Sequence, residues 1–470
     1  MTKISLINPS IGQSSKSHPK IQELNIEQGK FMQKTYEKFY EKLDHKILRI
    51  DKVQKEHYFL SNGLLSIASI LEKNGFNVEY LQQDYLEKEN RWNTALQNTK
   101  TSEIVGITSQ TGNSPNSLKI GRTIKKLNPE VFIVYGGPDP TFRYDLYLNF
   151  ADSVVLGEGE ETMLEIAQSN NGTARKMVRG TIVKDGYRLR NNGLRVPANI
   201  SELPPPAFHL VEEKLRKSSG LYLLTSRGCA FRCAYCSECS FFGEKARFRN
   251  TEAILKDINA LRENFEYENT FLHFADSTFT LRPKKEMTEL TQALRKNFDD
   301  MIFNCNIRSA TVDREMFDML SSAGFFGFIM GLESGSDFVL KKMNKGETYS
   351  DYLRFLKRIK GKIAIVETHW IFGFPGENHQ TAEDSISKMI FLLKEGLITA
   401  AWPKIFVPYP GSEVYRFPKR YGLQIVEGDL SKHSRFAPPL YTTSNLSSDD
   451  LFLFWLKAVD SIIELCRQRN

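Results

Sequence analysis

The chain has few cysteines for its length, and it has no long apolar run. Six cysteines in 470 residues are too sparse for a disulfide-stapled secreted scaffold. No stretch reaches the roughly eighteen apolar residues of a membrane span, and the apolar start is too short for a signal peptide. The net charge of +7 is spread over the chain without a dense basic block. We therefore expect a cytoplasmic protein with no membrane span and no nucleic-acid partner.

Three of the six cysteines lie close together, in the run Cys229-Ala-Phe-Arg-Cys233-Ala-Tyr-Cys236. Cubane iron–sulfur clusters normally take four cysteine thiolates. A C-x3-C-x2-C spacing can hold three corners of one cluster, which leaves the fourth iron free for another ligand. The motif therefore predicts an iron–sulfur centre with an open coordination position.

Zinc is the competing interpretation of the same segment. Cys239 follows the motif, so that C-x3-C-x2-C-x2-C offers four thiolates. Structural zinc sites usually pair two short cysteine knuckles separated by a dozen or more residues, because one continuous loop closes poorly into a tetrahedron. A zinc-stabilised adaptor that only binds partners is the non-enzymatic alternative.

At these cysteines the chain resembles the radical S-adenosylmethionine enzymes, whose signature has this spacing with an aromatic residue before the last cysteine, here Tyr235. The resemblance implies that Cys229, Cys233 and Cys236 are the catalytic metal ligands of a 4Fe-4S cluster. It also implies that S-adenosylmethionine chelates the fourth iron. An electron from a donor such as flavodoxin or ferredoxin then releases a 5'-deoxyadenosyl radical.

The N-terminal part of the chain alternates short β-rich runs with helical stretches, which predicts a parallel α/β sheet. The predicted strands are Ile4 to Asn8, Val78 to Leu81, Ile104 to Thr108, Val131 to Tyr135 and Val154 to Leu156. Small or polar residues follow three of them: Thr108 and Ser109, Gly136 and Gly137, and Gly157 and Glu158. Ligands of doubly wound sheets lie across the carboxyl ends of the strands, so these residues predict a ligand site rather than three ordinary turns.

This segment resembles the cobalamin-binding domain that precedes many radical S-adenosylmethionine enzymes. The resemblance rests on Gly63-Leu64-Leu65, Val105 to Thr108, Gly136 to Thr141 and Val155 to Glu160. It implies that the strand-end residues Thr108, Ser109, Gly136, Gly137, Gly157 and Glu158 bind cobalamin. The family commonly has histidine where Asp139 stands, and the chain has no D-x-H-x-x-G motif. We therefore predict that cobalt receives no histidine ligand from the sheet domain.

Residues 10 to 60 form a lysine-rich insertion after the first strand. Phe31, Tyr36, Phe39 and Tyr40 give it an amphipathic stripe, which predicts helices. Two interpretations stay open: a solvated helical pair, or a cap over the active site.

The second half of the chain contains another alternating series, and it begins after a proline-rich linker at residues 196–220. Its strands are expected at 222–225, 270–275, 302–306, 326–330, 362–371 and 400–406. Six strand–helix repeats make a partial barrel, and the cysteine loop follows its first strand. The predicted domains are 1–195 for the sheet, 221–410 for the barrel and 411–470 for a C-terminal helical extension. The overall fold class is α/β: a doubly wound Rossmann-like domain, a partial (β/α)6 TIM-type barrel and a helical tail.

Further candidate residues end the barrel strands, where barrel enzymes place their chemistry. Resemblance to the family implies that Glu333 binds the ribose or the ammonium group of S-adenosylmethionine. The competing interpretation is a structural pair between Glu333 and Arg308. Tyr235, Asp276 at the end of the second strand, Arg308 and Gly373 are expected to bind the cofactor as well. Arg308 can hold the carboxylate of the substrate or of S-adenosylmethionine bidentately, and Gly373 ends the fifth strand near the adenine. A plain turn is the alternative at Gly373.

Together these features lead to a cobalamin-dependent radical S-adenosylmethionine enzyme, similar to the class B methyltransferases. The reaction expected is methylation of an unactivated carbon in a small-molecule or peptide substrate. The first alternative uses the same cofactors for ring formation, ring contraction or another oxidation. Further alternatives use the sheet domain for substrate without cobalamin, or insert sulfur into transfer RNA.

Overall fold

The computed structural model describes residues 2–10, 18–41, 58–217, 219–265 and 271–469. The chain forms two compact units, each built from separate segments. The first unit comprises Met1–Gln13, Gln54–Gly220 and Phe248–Tyr267. The second comprises Ser14–Val53, Leu221–Arg247 and Glu268–Asn470.

The first unit contains a seven-stranded sheet with the strand order β2-β1-β3-β4-β5-β6-β7. Its strands are β1 Lys3–Asn8, β2 Asn77–Gln82, β3 Ile104–Thr108, β4 Phe132–Gly136, β5 Ser153–Val155, β6 Thr181–Asp185 and β7 Arg188–Asn191. The first five run parallel, whereas β6 and β7 are antiparallel. The order reverses between β1 and β3, and such a reversal opens a crevice at the carboxyl ends of the strands. This confirms the predicted doubly wound sheet.

The helices of the N-terminal half are α1 Pro19–Glu41, α2 Asn62–Lys73, α3 Gln83–Lys88, α4 Trp92–Asn98, α5 Ser114–Leu127, α6 Pro138–Phe142, α7 Tyr144–Tyr147, α8 Glu160–Gln168, α9 Gly172–Arg175 and α10 Glu213–Arg216. Helix α2 begins after Ser61, whose side chain accepts from the Leu64 amide. The side chains of Leu65, Ala68 and Leu71 are completely buried, so the apolar face of α2 packs in the core of the unit.

The second unit contains a six-stranded parallel sheet in the order β15-β14-β13-β12-β11-β8. The strands from residue 222 onward are β8 Tyr222–Leu223, β9 Ser226–Arg227, β10 Arg247–Phe248, β11 Phe271–Phe274, β12 Ile302–Ile307, β13 Phe325–Glu333, β14 Ile365–Phe372, β15 Ala400–Ile405, β16 Leu423–Ile425 and β17 Tyr441–Thr443. Chain order and sheet order agree from β11 to β15, which confirms the partial barrel.

The helices of this half are α11 Glu238–Phe242, α12 Thr251–Asn264, α13 Lys284–Asn297, α14 Arg314–Ser322, α15 Asp337–Lys342, α16 Tyr349–Ile359, α17 His379–Lys394, α18 Glu413–Arg416, α19 Pro418–Tyr421 and α20 Ser448–Arg469. Asn250, Asp313, Thr348 and Asn378 cap four of them at the N-terminus. Helix α20 buries Trp455 and Ile462 completely, as expected of a core helix. Among the described helices, none combines the length and the apolar character needed to cross a membrane.

The inserted helix α1 packs within the second unit, although the insertion interrupts the first domain in the chain. Its Leu24 and Gln28 are buried against α20 and the edge strand β15. Residues 42–57 and the side chains of Tyr36, Phe39 and Tyr40 lie outside the described residues. The described part of the insertion is therefore neither a solvated helix nor a cap over the barrel mouth.

Candidate functional site

The cysteine loop lies between β9 and α11, directly after the first barrel strand. The Cys229 thiol is buried, Cys233 is half-buried and Cys236 is exposed. The loop turns at Gly228, whose φ is +85°, and an added Cβ there would lie 2.7 Å from the Lys245 carbonyl oxygen. Within the described residues, no three histidine, cysteine or acidic side chains converge at metal-binding distance. The chain thus supplies three thiols on one short loop, and iron would draw them together.

Cys239 points away from this trio and towards the loop backbone. Its Sγ donates to the carbonyl oxygens of Cys229 and Phe231 at 2.9 and 2.8 Å. Burial raises the pKa of the Cys239 thiol to about 11 and that of the Cys236 thiol to about 12, so hydrogen bonding rather than acidity separates Cys239 from the motif cysteines. A four-thiolate zinc site would have to break both hydrogen bonds, so the geometry favours the three-cysteine interpretation.

Arg308 lies beside the middle cysteine of the motif. Its Nη1 is 3.6 Å from Cys233 Sγ, and its guanidinium stacks on the Phe231 ring at 3.6 Å. Its Nε donates to Glu347 Oε2 at 2.8 Å. Arg308 therefore fixes the loop and places positive charge next to a thiol, and such charge stabilises a thiolate.

Tyr235, Glu333 and Lys345 form a second cluster next to the loop. Glu333 Oε1 accepts from the Tyr235 hydroxyl at 2.8 Å and from Lys345 Nζ at 3.1 Å. Glu333 ends β13 at a φ of +68°, a conformation that is rare outside glycine and concentrates at functional sites. The suggested Glu333–Arg308 pair is wrong, because Glu333 pairs with Lys345 and Arg308 with Glu347.

Asp276 is completely buried and serves the backbone before the cysteine loop. Its carboxylate accepts from the amides of Thr225 and Ser226 at 2.5 and 2.9 Å, and from the Thr225 hydroxyl at 2.6 Å. Burial raises the pKa of Asp276. The neighbouring Ser277 donates to the carboxylate of Glu238 on α11. Glu238 thus brings an acidic group next to Ser277, and no spacing in the sequence pointed to it.

Gly373 directly follows β14 and has a φ of +85°. Its carbonyl accepts from the Tyr441 hydroxyl at 3.2 Å, and its amide donates to Glu377 Oε2 at 2.6 Å. An added Cβ would lie 2.6 Å from the Tyr441 hydroxyl, which explains the glycine without a ligand. Its contact with a cofactor stays a prediction.

In the first unit, the predicted strand-end residues come together at one edge of the sheet. Thr108 ends β3, Gly136 ends β4, and Gly157 and Glu158 follow β5. The Ser109 amide donates to the Gly136 carbonyl at 2.9 Å. Gly137 has a φ of +99°, and an added Cβ would lie 2.8 Å from the Ser109 carbonyl oxygen. Beside Gly112 an added Cβ would meet no atom within 4 Å, so this edge has open space next to the reversal in strand order.

Asp139 does not point into that space. It is 1% exposed, and Arg143 Nη2 binds its two carboxylate oxygens at 2.7 and 2.8 Å. The hydroxyls of Thr111 and Tyr147 donate to it at 2.9 and 2.5 Å. Asp139 therefore stabilises the turn after β4 from inside. The described part of the first unit contains one histidine, His209. Its imidazole lies 2.9 Å from the carboxyl of Glu72 on α2.

A family model described as the radical SAM superfamily matches residues 223–389, and one described as the B12 binding domain matches residues 52–167. The first match covers the cysteine loop and most of the barrel, and the second covers the strand-end loops of the first unit. The chain is a cobalamin-dependent radical SAM enzyme. This confirms the resemblance found in the sequence.

Three relatives show the range of reactions around this radical SAM enzyme. An uncharacterized methyltransferase of Pyrococcus horikoshii is 29% identical over 323 residues, covering 67% of this chain and 69% of the relative. Bacteriochlorophyllide d C-12(1)-methyltransferase of Chlorobaculum tepidum is 27% identical, covering 75% and 72%. The anaerobic magnesium-protoporphyrin IX monomethyl ester cyclase of Rubrivivax gelatinosus is 25% identical, covering 72% and 62%.

The fold of the radical SAM enzyme is also that of a solved structure. The cobalamin-dependent S-adenosylmethionine radical enzyme OxsB, with aqua-cobalamin and S-adenosylmethionine bound, superposes with a TM-score of 0.70 at 17% identity. The alignment covers 97% of this chain and 66% of OxsB. The two units therefore correspond to the fold of a B12-binding and a radical SAM domain.

The radical SAM domain implies a 4Fe-4S cluster and S-adenosylmethionine, and the B12-binding domain implies cobalamin. The residues present fit these groups. Three thiols without a fourth partner suit a cluster that leaves one iron to S-adenosylmethionine, and the loops after β3, β4 and β5, which meet at one edge of the sheet, suit a ligand at the strand ends. The individual cofactor contacts stay predictions.

Proposed function

We propose that this radical SAM enzyme methylates an unactivated carbon of a small-molecule or peptide substrate. The observation that carries the proposal is one chain with a three-thiol loop at the carboxyl end of a parallel barrel and a separate B12-binding domain. The methyltransferase names of the Pyrococcus and Chlorobaculum relatives support the reaction type. We further propose that flavodoxin or ferredoxin supplies the electron, and that the reducing cytoplasm is the compartment.

When bound, the cluster with S-adenosylmethionine supplies a 5'-deoxyadenosyl radical, and cobalamin supplies the methyl group. The chain's own residues bind, orient and shield these groups. Cys229, Cys233 and Cys236 would hold three irons, and Arg308 next to Cys233 would offset the negative charge of the thiolates. Asp276 would fix the start of the loop through Thr225 and Ser226 without touching the cofactors, which makes it a positioning residue.

Glu333 is proposed to orient S-adenosylmethionine. Tyr235 and Lys345 both bind its Oε1, and within the described residues Oε2 has no hydrogen-bond partner. A ribose hydroxyl or an ammonium group can donate to that free oxygen. Lys345 pairs with the buried Glu333 carboxyl at 3.1 Å and supplies the positive charge that offsets its burial.

Cys233→Ala tests the cluster. The variant should lose S-adenosylmethionine cleavage to 5'-deoxyadenosine by at least about a thousandfold after anaerobic reconstitution with iron and sulfide, because it removes a ligand of the cluster. Cys239→Ser is the matched control, since a serine hydroxyl can still donate to the two loop carbonyls. It should keep four irons per chain and the cleavage activity. Retained cleavage by Cys233→Ala, or zinc without iron in the wild type, would disprove the proposed centre.

Product analysis separates methyl transfer from ring formation, which the Rubrivivax cyclase supports as the second candidate. A methyltransferase uses one S-adenosylmethionine as methyl donor and a second as radical source. The reconstituted enzyme with cobalamin and reductant should therefore form S-adenosylhomocysteine as well as 5'-deoxyadenosine. If 5'-deoxyadenosine appears without S-adenosylhomocysteine, methyl transfer is wrong and the cyclase-like reaction is favoured.

A further inference from the structure

The inner face of the barrel carries polar side chains on its last two strands. Along β14, Glu367, His369 and Ile371 are half-buried between buried neighbours, and Trp402 and Lys404 alternate in the same way along β15. Trp402 Nε1 donates to Glu367 Oε2 at 2.7 Å, and Lys404 Nζ lies 3.2 Å from His369 Nδ1. Barrels of this type are ordinarily filled by branched apolar side chains. The polar and partly accessible face therefore indicates a binding surface.

Lys404 differs from Arg308 and Lys345, the two cations beside the cysteine loop. Arg308 pairs with Glu347 and Lys345 with Glu333. Within the described part of the chain, no carboxylate lies at ion-pair distance from Lys404 Nζ, and its polar contact is the imidazole of His369. An enclosed ammonium without an anion is unfavourable. A bound anion would remove that penalty.

The surroundings of Lys404 explain its charge state. Burial, with help from the positive charge of Arg435, lowers the pKa of Lys404 to about 8, while the negative charges of Glu333 and Glu367 oppose the shift. Burial and the charge of Lys404 lower the pKa of His369 to about 3. At neutral pH Lys404 is therefore mainly cationic and His369 is neutral, so this face carries a positive charge with no carboxylate at ion-pair distance within the described residues.

We propose that Lys404 and His369 bind an anionic group of the substrate, a carboxylate or a phosphate, on the inner face of the barrel. The inference rests on the proposed function in that the bound molecule is the substrate of the radical reaction. Lys404 lies on β15 one residue before its end, and Glu333 ends β13. The anion would therefore lie on the same inner face as the carboxylate assigned to S-adenosylmethionine. Substrates without an acidic group would be poor ligands.

Competitive acetylation tests the site without turnover. The reconstituted enzyme is treated with limiting acetic anhydride at pH 7.5, and the rate at each lysine is read by mass spectrometry. Methylphosphonate or acetate at 10–50 mM, on the order of a weak fragment affinity, should slow acetylation of Lys404 several-fold. Lys432 and Lys457, which pair with Glu427 and Glu383 on the surface, should be unaffected. Equal rates at Lys404 with and without both anions would overturn the proposal.

Two further experiments test whether the anion binds at Lys404 and whether it belongs to the substrate. Calorimetric binding of the more protective anion should vanish in Lys404→Met and persist in Lys432→Met, and it should weaken above pH 8 as Lys404 loses its proton. The second experiment repeats the acetylation with S-adenosylmethionine in place of methylphosphonate or acetate. If S-adenosylmethionine alone protects Lys404 fully, its own carboxylate occupies the site and the substrate assignment is wrong. Because none of these measurements needs product formation, a failed methylation assay leaves their outcome readable.

Discussion

Glu377, four residues after the glycine that follows β14, is a buried acid with one oxygen that lacks a hydrogen bond. It is 1% exposed, and its Oε2 accepts from the Gly373 amide at 2.6 Å. Its Oε1 has no hydrogen-bond partner among the described residues. Burial raises the pKa of Glu377 to about 8, because the charged form would lose its hydration without gaining a cation. The carboxyl is therefore neutral in the folded protein at pH 7.

Glu377→Gln should relieve a pH-dependent loss of stability. The folded protein keeps the Glu377 proton up to about pH 8, whereas the unfolded chain releases it near pH 4.5. Stability from this group is full below pH 4.5 and is lost as the pH rises towards 8. Glutamine stays neutral, so the variant should match the wild type at pH 5 and exceed it by up to about 4 kcal/mol at pH 7.5. Urea unfolding at both pH values measures the difference.

Glu427→Gln is the control for this prediction. A hydrogen bond from the Lys432 ammonium lowers the pKa of the exposed Glu427 carboxyl, so the linkage has the opposite sign. This variant should gain no stability as the pH rises. A pH-independent difference between Glu377→Gln and the wild type would contradict the protonated carboxyl.

The residues of the cysteine motif could be predicted because their function depends on local spacing. The partners of Arg308 and Glu333 could not be predicted. Glu347 and Lys345 come from the segment after α15, and sequence gives no signal for which cation meets which carboxylate across such a loop. Glu367 and His369 were a usable signal for the inner barrel face, since titratable residues two positions apart lie on the same face of a strand.

At the element scale, the open edge of the barrel requires explanation. Six strands do not close, so β15 would present unpaired amides and carbonyls. Gln28 on α1 accepts from the Ala401 amide at 2.7 Å and donates to the Ala401 carbonyl at 2.9 Å. Trp455 on α20 donates to the Pro403 carbonyl at 3.0 Å, and proline has no amide to satisfy. These side chains make hydrogen bonds to the backbone of β15 that a neighbouring strand would otherwise make.

Gln28→Leu should destabilise the barrel unit. Leucine preserves much of the buried volume but leaves one amide and one carbonyl of Ala401 without partners, which costs about 2–4 kcal/mol. Urea unfolding followed by tryptophan fluorescence measures the loss. Gln33→Leu, on the same helix, is the control, because the Gln33 amide donates to the exposed Glu37. This variant should change stability by less than about 0.5 kcal/mol. Equal stabilities of the two variants would contradict the edge role of α1.

Most strands of both sheets were predictable because continuous apolar runs mark buried parallel strands. The hairpin of β6 and β7 was not predicted, since Arg188–Asn191 is polar and mostly exposed and resembles a loop. The position of α1 was also missed. An amphipathic stripe shows that a helix buries one face, but it does not identify the surface that the face covers.

At the scale of the whole molecule, both units present their candidate residues on loops that follow the carboxyl ends of parallel strands. The backbone amides and carbonyls within a parallel sheet are paired, whereas the loops beyond it have free groups and accept varied residues. Each unit thus combines a rigid sheet with variable loops at the carboxyl ends of its strands. Each cofactor should stabilise these loops in its own unit.

Hydrogen exchange should distinguish the stabilisation of the first unit by cobalamin from that of the second unit by the iron–sulfur cluster. A ligand present at about a hundred times its Kd stabilises the folded form by about 2.7 kcal/mol. Some amides of the sheet-edge loops can exchange only after the bound form opens. At these amides hydroxocobalamin should slow exchange up to about a hundredfold, and we expect this in segments 109–113, 137–142 and 157–160. Segment 228–237 should respond instead to iron and sulfide. Unchanged exchange of all three sheet-edge segments with saturating cobalamin would place the corrinoid elsewhere on the chain.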